Sequence, residues 1–311
     1  MSTPENTAET TTTENGDVVR QFEFVTTRAA EVEVHVNAGR VDVELTGEHG
    51  ASVTVRRQLD GGDTLVNGLS GLFNWVNSQF TGGEQDAPTD EAVKQTRVEQ
   101  TGNRLVVRGP QGMPLRVVPL SVVVRVPRGS HINVTTGAAA INVTGVAGVA
   151  GRVDLVTSSG DVTVDRTDGN INVQTGTGAV RLGPVHGSLR AKSGNGALEV
   201  SSVQGPSKLV TTGGDVWLGA VQHDVDVRTG SGDLTVADAV SGRIHLASGS
   251  GSLRVGVRQG TVAELDLVSV SGEARSELPV FEERQPGWDN PALRVEGRTA
   301  SGNVLVTTSV S

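Results

Sequence analysis

Three consecutive stretches of equal length decide the fold: GAVRLGPVHGSLRAKSGN at residues 178–195, GALEVSSVQGPSKLVTTG at 196–213 and GDVWLGAVQHDVDVRTGS at 214–231. The glycine that opens each belongs to a series with an 18-residue step: Gly160, Gly178, Gly196, Gly214 and Gly232. The series runs on with looser spacing through Gly251, Gly272 and Gly302. A second series at Gly169, Gly187, Gly205 and Gly242 keeps phase with the first, and His223 fills its missing slot. Two punctuation marks held in phase over several periods are the signature of a repeat architecture.

Between the marks the apolar residues hold fixed offsets. From Gly178 they are Val180, Leu182, Val185, Leu189 and Ala191. One period on come Leu198, Val200, Val203 and Leu209, with Ser207 breaking the pattern. Then follow Val216, Leu218, Val221, Val225 and Val227, and after them Leu234, Val236, Val240, Ile244 and Leu246. Alternation such as Val180/Leu182 and Val225/Val227 marks a strand with one buried face. Each period therefore predicts two short strands, a glycine-rich turn and a corner where one Val points inward. Five aliphatics cannot offset the entropy of ordering a whole period, so one rung cannot fold alone. Stacked rungs share hydrogen bonds and one core, and the array forms together. The predicted fold is all-β, a parallel β-solenoid (β-helix) with 18-residue rungs from about residue 130 onward, the turn glycines being expected to serve positive φ. A calcium-binding β-roll is excluded: Asp161, Asp215 and Asp233 directly follow the turn glycine, and the second half-rung repeats no such motif. A left-handed hexapeptide helix needs apolar residues every six positions, which these offsets do not give.

Composition agrees. The 311 residues include 41 Gly, no Cys and no Tyr, and only five Phe and three Trp, where a globular enzyme of this length usually spends more aromatics on its core. Without Cys there are no disulfides and no thiolate metal sites. The formal charge of −9 argues against nucleic acid as a partner. Residues 1–17 carry Glu5, Glu9, Glu14 and Asp17, no basic residue and a Thr run, and read as a disordered acidic tail. No signal peptide or membrane-spanning segment is visible, which points to a cytoplasmic location with peripheral membrane contact as the alternative.

The N-terminal half predicts strands at Val18–Val25, Glu31–Val36, Arg40–Leu45, Ala51–Gln58, Arg104–Val107 and Val117–Val126, with Val41 and Val43 in a degenerate first rung. Residues 18–311 read as one solenoid domain with a helix and loop insertion at 61–103. Within it, residues 64–80 carry no charge and space Leu65, Leu69, Leu72, Phe73, Val76 and Phe80 as a helix. That helix is expected to close an open sheet edge; docking to a membrane or a partner is the alternative. Residues 82–92 read as a polar, mobile stretch.

At Val122–Val134 the run Val-Val-Val-Arg-Val-Pro-Arg-Gly-Ser-His-Ile-Asn-Val leads into Thr-Thr-Gly, and Ser159-Gly160-Asp161-Val162-Thr163-Val164 is the clearest rung. Here the chain resembles the bacterial putative-adhesin, or toastrack, β-strand-repeat family, over residues 30–60 and 100–311. The resemblance implies a β-solenoid sometimes associated with cell-envelope stress systems, and it carries no catalytic residues to transfer.

The search for chemistry finds none. The six His residues (His35, His49, His131, His186, His223 and His245) have no metal-ligand spacing and no nucleophile partner. Asp215 and Asp233 share one offset, where Asp at a turn caps backbone amides. No cofactor is implied. Outward positions read Thr163, Arg181, Glu199, Trp217, Thr235 and Arg254, a solvated face on which Trp217 is the exception. The candidate interaction surface is therefore Leu72, Phe73, Trp75, Val76, Phe80 and Trp217, and the loop at 286–291 also holds a Trp. The function expected is a non-enzymatic scaffold that meets a protein partner or a second copy. The alternative is a carbohydrate-binding or carbohydrate-active β-helix.

Overall fold

The computed structural model describes residues 8–14, 17–26, 28–47, 49–58, 88–145, 151–279 and 292–309. The chain divides into two compact units, 1–147 and 148–311, where the repeat had suggested one domain over 18–311.

The first unit is organised by one long strand, β3 (Glu31–Thr46). It follows β1 (Ala8–Glu14) and β2 (Asp17–Phe24), and precedes β4 (Ala51–Arg57). Then come α1 (Pro88–Gln95), β5 (Arg97–Thr101), β6 (Arg104–Arg108), a 3-10 turn (Leu115–Val117), β7 (Leu120–Pro127) and β8 (His131–Gly145). Strands β3 and β8 run parallel from Glu31 opposite His131 to Leu45 opposite Gly145. On its other side β3 changes partner half-way, from β6 to β7. The change comes at Gly39, whose φ is +115° and where a Cβ would sit 2.0 Å from the Leu120 carbonyl oxygen. The inward alternation is Val32, Val34, Val36, Val41, Val43 and Leu45, all buried.

Beyond β7 the parallel order gives way to an antiparallel series, β7–β4–β2–β1, while β5 lies antiparallel on β6. Strands therefore cover the edges of β3's neighbours. The helix expected at 64–80 lies outside the described residues. Two expectations are corrected here. Part of the tail taken as disordered is a strand: the β-branched Thr run of β1 pairs along β2 from Ala8–Glu23 to Glu14–Asp17. Part of the stretch taken as mobile is α1, which buries Ala92 and Val93. Its carbonyl end is held by Arg20, whose guanidinium donates to the carbonyls of Val93, Lys94 and Thr96 at 3.1, 2.8 and 2.6 Å, a cation where the helix dipole favours one. No described helix is long and apolar enough to cross a membrane.

The second unit is the regular solenoid, with two walls. Wall one stacks β10 (Val162–Val164), β12 (Val180–Val185), β14 (Leu198–Val203), β16 (Val216–Val221), β18 (Leu234–Ala239) and β20 (Leu253–Val257). Wall two stacks β9 (Arg152–Thr157), β11 (Asn170–Thr175), β13 (Leu189–Ser193), β15 (Ser207–Thr211), β17 (Val225–Thr229) and β19 (Gly242–Ser250). All pair parallel in the predicted register, Val180 opposite Leu198 and Leu198 opposite Val216. Ser207, the break in the apolar pattern, still points inward and donates to the Gly205 carbonyl at 3.0 Å. The corner of the Leu234 rung is filled by Ala239 in place of the expected Val240, because Ala239 is the residue opposite Val221.

Two features depart from the sequence reading. The last rung in sequence is not the last in space. Strands β23 (Leu293–Ser301) and β24 (Val304–Thr308) lie against β19 and β20. The earlier β21 (Ala263–Ser269) and β22 (Ala274–Ser276) stack outside them. Gly242 and Gly302 have the expected positive φ, +97° and +144°, but other turn glycines have a different reason. At Gly214 φ is not in the left-handed region; instead a Cβ would lie 2.2 Å from the carbonyl oxygen of Gly196, the equivalent glycine one rung earlier. Glycine is required because the turns stack backbone on backbone.

Candidate interaction surface

The turns explain where the polar side chains go. A hydroxyl three residues before each turn glycine faces the core: Thr157, Thr175, Ser193 and Thr211 each accept the N–H of Gly160, Gly178, Gly196 and Gly214 at 3.0–3.1 Å. Thr211 also donates to the Gly194 carbonyl of the previous rung at 3.2 Å. Sequence reasoning missed this buried ladder, although Thr/Ser-x-x-Gly recurs with the rung period.

Aspartates on the outer side of the turns work in the same way. The carboxylate of Asp215 accepts the backbone N–H of Asp233 at 2.8 Å, and Asp233 accepts that of Ser252 at 2.7 Å. These acids cap rung-to-rung amides, as expected of turn aspartates. Histidines are scattered: His35 lies 2.7 Å from Glu33, His245 lies 3.3 Å from Glu296, and His223 accepts from the Asp224 amide. Among the described residues no three His, Asp or Glu side chains gather where they could hold a metal ion.

In the first unit a cleft of about 430 Å³ opens beside α1, lined by Glu9, Arg20, Phe22, Thr96, Arg97 and Glu99 among others. Its central cation is already engaged. Arg20 pairs with Glu9 at 2.8 Å, holds the helix carbonyls and lies 4.9 Å over the Phe22 ring.

Wall one carries the candidate surface. Its outward column runs Thr163, Arg181, Glu199, Trp217, Thr235 and Arg254, matched rung to rung. Arg181 and Glu199 pair across rungs at 3.5 Å. Trp217 is 43% exposed. Two residues along, a second column reads Asp165, Gly183, Ser201, Gly219, Ala237 and Gly256, small at every rung after the first. The Trp217 ring extends over that column: its Cη2 would lie 3.2 Å from a Cβ at Gly219. Small residues thus give the indole a flat seat and leave its outer side to solvent. Sequence reasoning singled out Trp217 and missed the seat beneath it, whose signal is the run of small residues at one offset. The other five candidates, Leu72, Phe73, Trp75, Val76 and Phe80, lie outside the described residues, as does the loop at 286–291.

The model of one family, Toastrack DUF4097, matches residues 86–309. The chain belongs to the Toastrack DUF4097 family. The matched stretch takes in α1 and β5, which the sequence resemblance had left inside the insertion. Solved structures of similar shape include a "putative adhesin" from Bacteroides fragilis NCTC 9343, at 12% identity and a TM-score of 0.40, with 93% of this toastrack chain and 96% of that chain covered. Another is a "putative lipid binding protein" from Parabacteroides distasonis ATCC 8503, at 13% identity and a TM-score of 0.43, with 95% and 96% covered. No curated protein matches the sequence. Toastrack membership fits a non-enzymatic interaction role.

Proposed function

We propose that this toastrack chain is a non-enzymatic scaffold that binds a protein partner through wall one, with Trp217 at the centre of the contact. The observation that carries the reading is the half-exposed indole seated on Gly219. A large aromatic on a rigid flat wall supplies contact area at little entropic cost, which is why Trp is enriched among residues that dominate binding energy. The neighbouring Arg181–Glu199 pair and Thr235 supply a polar rim. Association with the cell envelope is the finer reading, and its support is the family resemblance.

The test places a photocrosslinking residue at Ser201 and compares the parent chain with Trp217→Ala in native cells. One discrete crosslinked species, lost in the Trp217→Ala form while its melting temperature stays unchanged, is the expected result. Equal crosslinking by both forms would show that wall one makes no specific contact through the indole.

A further inference from the structure

Charges on the outer face of wall two follow a rule. Nearly every one has an opposite charge beside it: Arg152 with Asp154 at 2.7 Å, Arg228 with Asp226 at 3.0 Å, Arg294 with Glu264 at 2.7 Å and Arg298 with Asp266 at 3.2 Å. Two places break the rule: Arg243 stands opposite Arg294, which is itself paired with Glu264, and a larger block of cations lies elsewhere on the wall. Arg190 stands directly opposite Lys208 on the next rung, and Lys192 is two residues further along the Arg190 strand. All three are exposed. Like charges facing each other across a ladder are destabilising. Among the described residues, the acid paired with this block is Asp226, 3.8 Å from Lys208 and already paired with Arg228. On the preceding rung stand two amides: opposite Arg190 is Asn172, whose Nδ2 also donates to Asp154 at 3.3 Å, and opposite Lys192 is Gln174. In a chain of net charge −9, a fixed block of cations and amide donors on a rigid sheet is a local reversal of sign.

We propose that Arg190, Lys192 and Lys208, with Asn172 and Gln174, form a binding site for an acidic polysaccharide, one bearing carboxylate or sulfate groups. Three features select that class. The heads stand on a grid of about 4.8 Å between rungs and about 6.8 Å along the strand, so they suit several anionic groups held on a stiff chain. The backbone of wall two spends its N–H and C=O groups on rung-to-rung pairing, leaving none for an extended peptide. A glycan needs only side-chain donors to its carboxylates and hydroxyls. Finally, the patch is bounded along the axis by Asp154 on one side and by Asp224 and Asp226 on the other, and Val210 within it is half-buried. A membrane surface or a nucleic-acid track would meet those acids. This site is independent of the reading of wall one.

The experiment titrates the full chain with oligogalacturonate by calorimetry at low and at physiological ionic strength. Neutral dextran oligomers, single-stranded DNA and vesicles of equal parts phosphatidylcholine and phosphatidylglycerol are the other arms. Oligogalacturonate should bind, more weakly as salt rises, and Arg190→Ala with Lys192→Ala should weaken it by about tenfold or more at an unchanged melting temperature. Arg116→Ala, at an exposed position in the first unit, should leave the affinity as it was. Absence of oligogalacturonate binding at low salt, equal binding by the double variant, or DNA or vesicles binding as tightly as the glycan would each overturn the assignment.

Discussion

Gly213 and Gly214 are neighbours in sequence, and the stacked turns predict opposite consequences for replacing them with Ala. At Gly214 the new Cβ would lie 2.2 Å from the Gly196 carbonyl oxygen and 2.8 Å from its carbon. That carbonyl is backbone, held in the ladder, and it would have to retreat by about 0.8 Å to reach even 3.0 Å. The bonds on either side, Gly213 N–H to Gly194 O and Leu198 N–H to Asp215 O, are both 2.9 Å long. Stretched by that amount they leave hydrogen-bonding range. Losing several such bonds at about 0.5–1.5 kcal/mol each, with overpacking of about 1–3 kcal/mol, gives a destabilisation of about 2–5 kcal/mol. At Gly213 the nearest atom is the Asn195 side-chain oxygen at 2.9 Å, which can swing away. Gly213→Ala should therefore change stability by less than about 1 kcal/mol, and the stiffer unfolded chain favours the variant. Urea unfolding followed by circular dichroism reads both, and Gly214→Ala should lower the midpoint by roughly 1–2 M at an unchanged slope. If Gly214→Ala unfolds with the parent, the turn glycines are not there to let backbones stack.

Val216→Asp would place a lone carboxylate between rungs where the parent side chain is fully enclosed, and should abolish cooperative folding, read as loss of the thermal transition in soluble protein. Thr211→Val removes the acceptor for the Gly214 N–H and should cost about 1–3 kcal/mol in urea, while Thr211→Ser, which keeps the hydroxyl as Ser193 does one rung earlier, should cost less than about 1 kcal/mol. Hydrogen bonds from Arg104 and then His35 hold the Glu33 carboxyl below its usual 4.5, so its contribution is present above that pH and is lost as pH falls through the lower folded-state value. Glu33→Gln should lower the melting temperature slightly at neutral pH, by less than about 1 kcal/mol of stability, and the difference should vanish in acid; a difference that persists unchanged below pH 3 (about one unit past the ordinary carboxylate range) would refute the linkage.

The solenoid was legible because its inward positions are forced to repeat. Val180, Leu198, Val216 and Leu234 occupy one column since every rung buries the same slot, and their spacing in sequence is their register in space. The reading failed where topology and sequence order part company. Nothing in the local pattern of β21 or β23 tells which lies outermost, since both carry the same alternation and the outcome depends on which connection crosses over. It failed again at β1, where composition spoke for disorder while the unpaired edge of β2 supplied a partner. Val240 was misplaced by one residue because the extra residue of that rung enters after the corner: Val221 still faces Ala239 at an 18-residue step, while Val225 faces Ile244 at 19. Of the candidate surface, Trp217 was visible as an exception on its column, but its seat was not, since Gly219 looks in sequence like one more turn residue.

A repeat that forces its inward face also decides where function can be written. Inward substitutions are felt by two adjacent rungs at once, so that face keeps mostly aliphatics, with Ser207 satisfied by its own hydrogen bond. Outward residues answer to nothing but their lateral neighbours, and the least costly solution is to alternate charge, as Arg181 with Glu199 and Arg298 with Asp266 do. Departures from that solution have a cost in the isolated chain: Trp217 keeps an indole in water, and Arg190 stands against Lys208. Neither departure improves the core, because neither side chain reaches it. Each becomes favourable only when something else supplies the missing apolar surface or the missing negative charge. The two lie on different walls, so the partners proposed for them would not compete for one face.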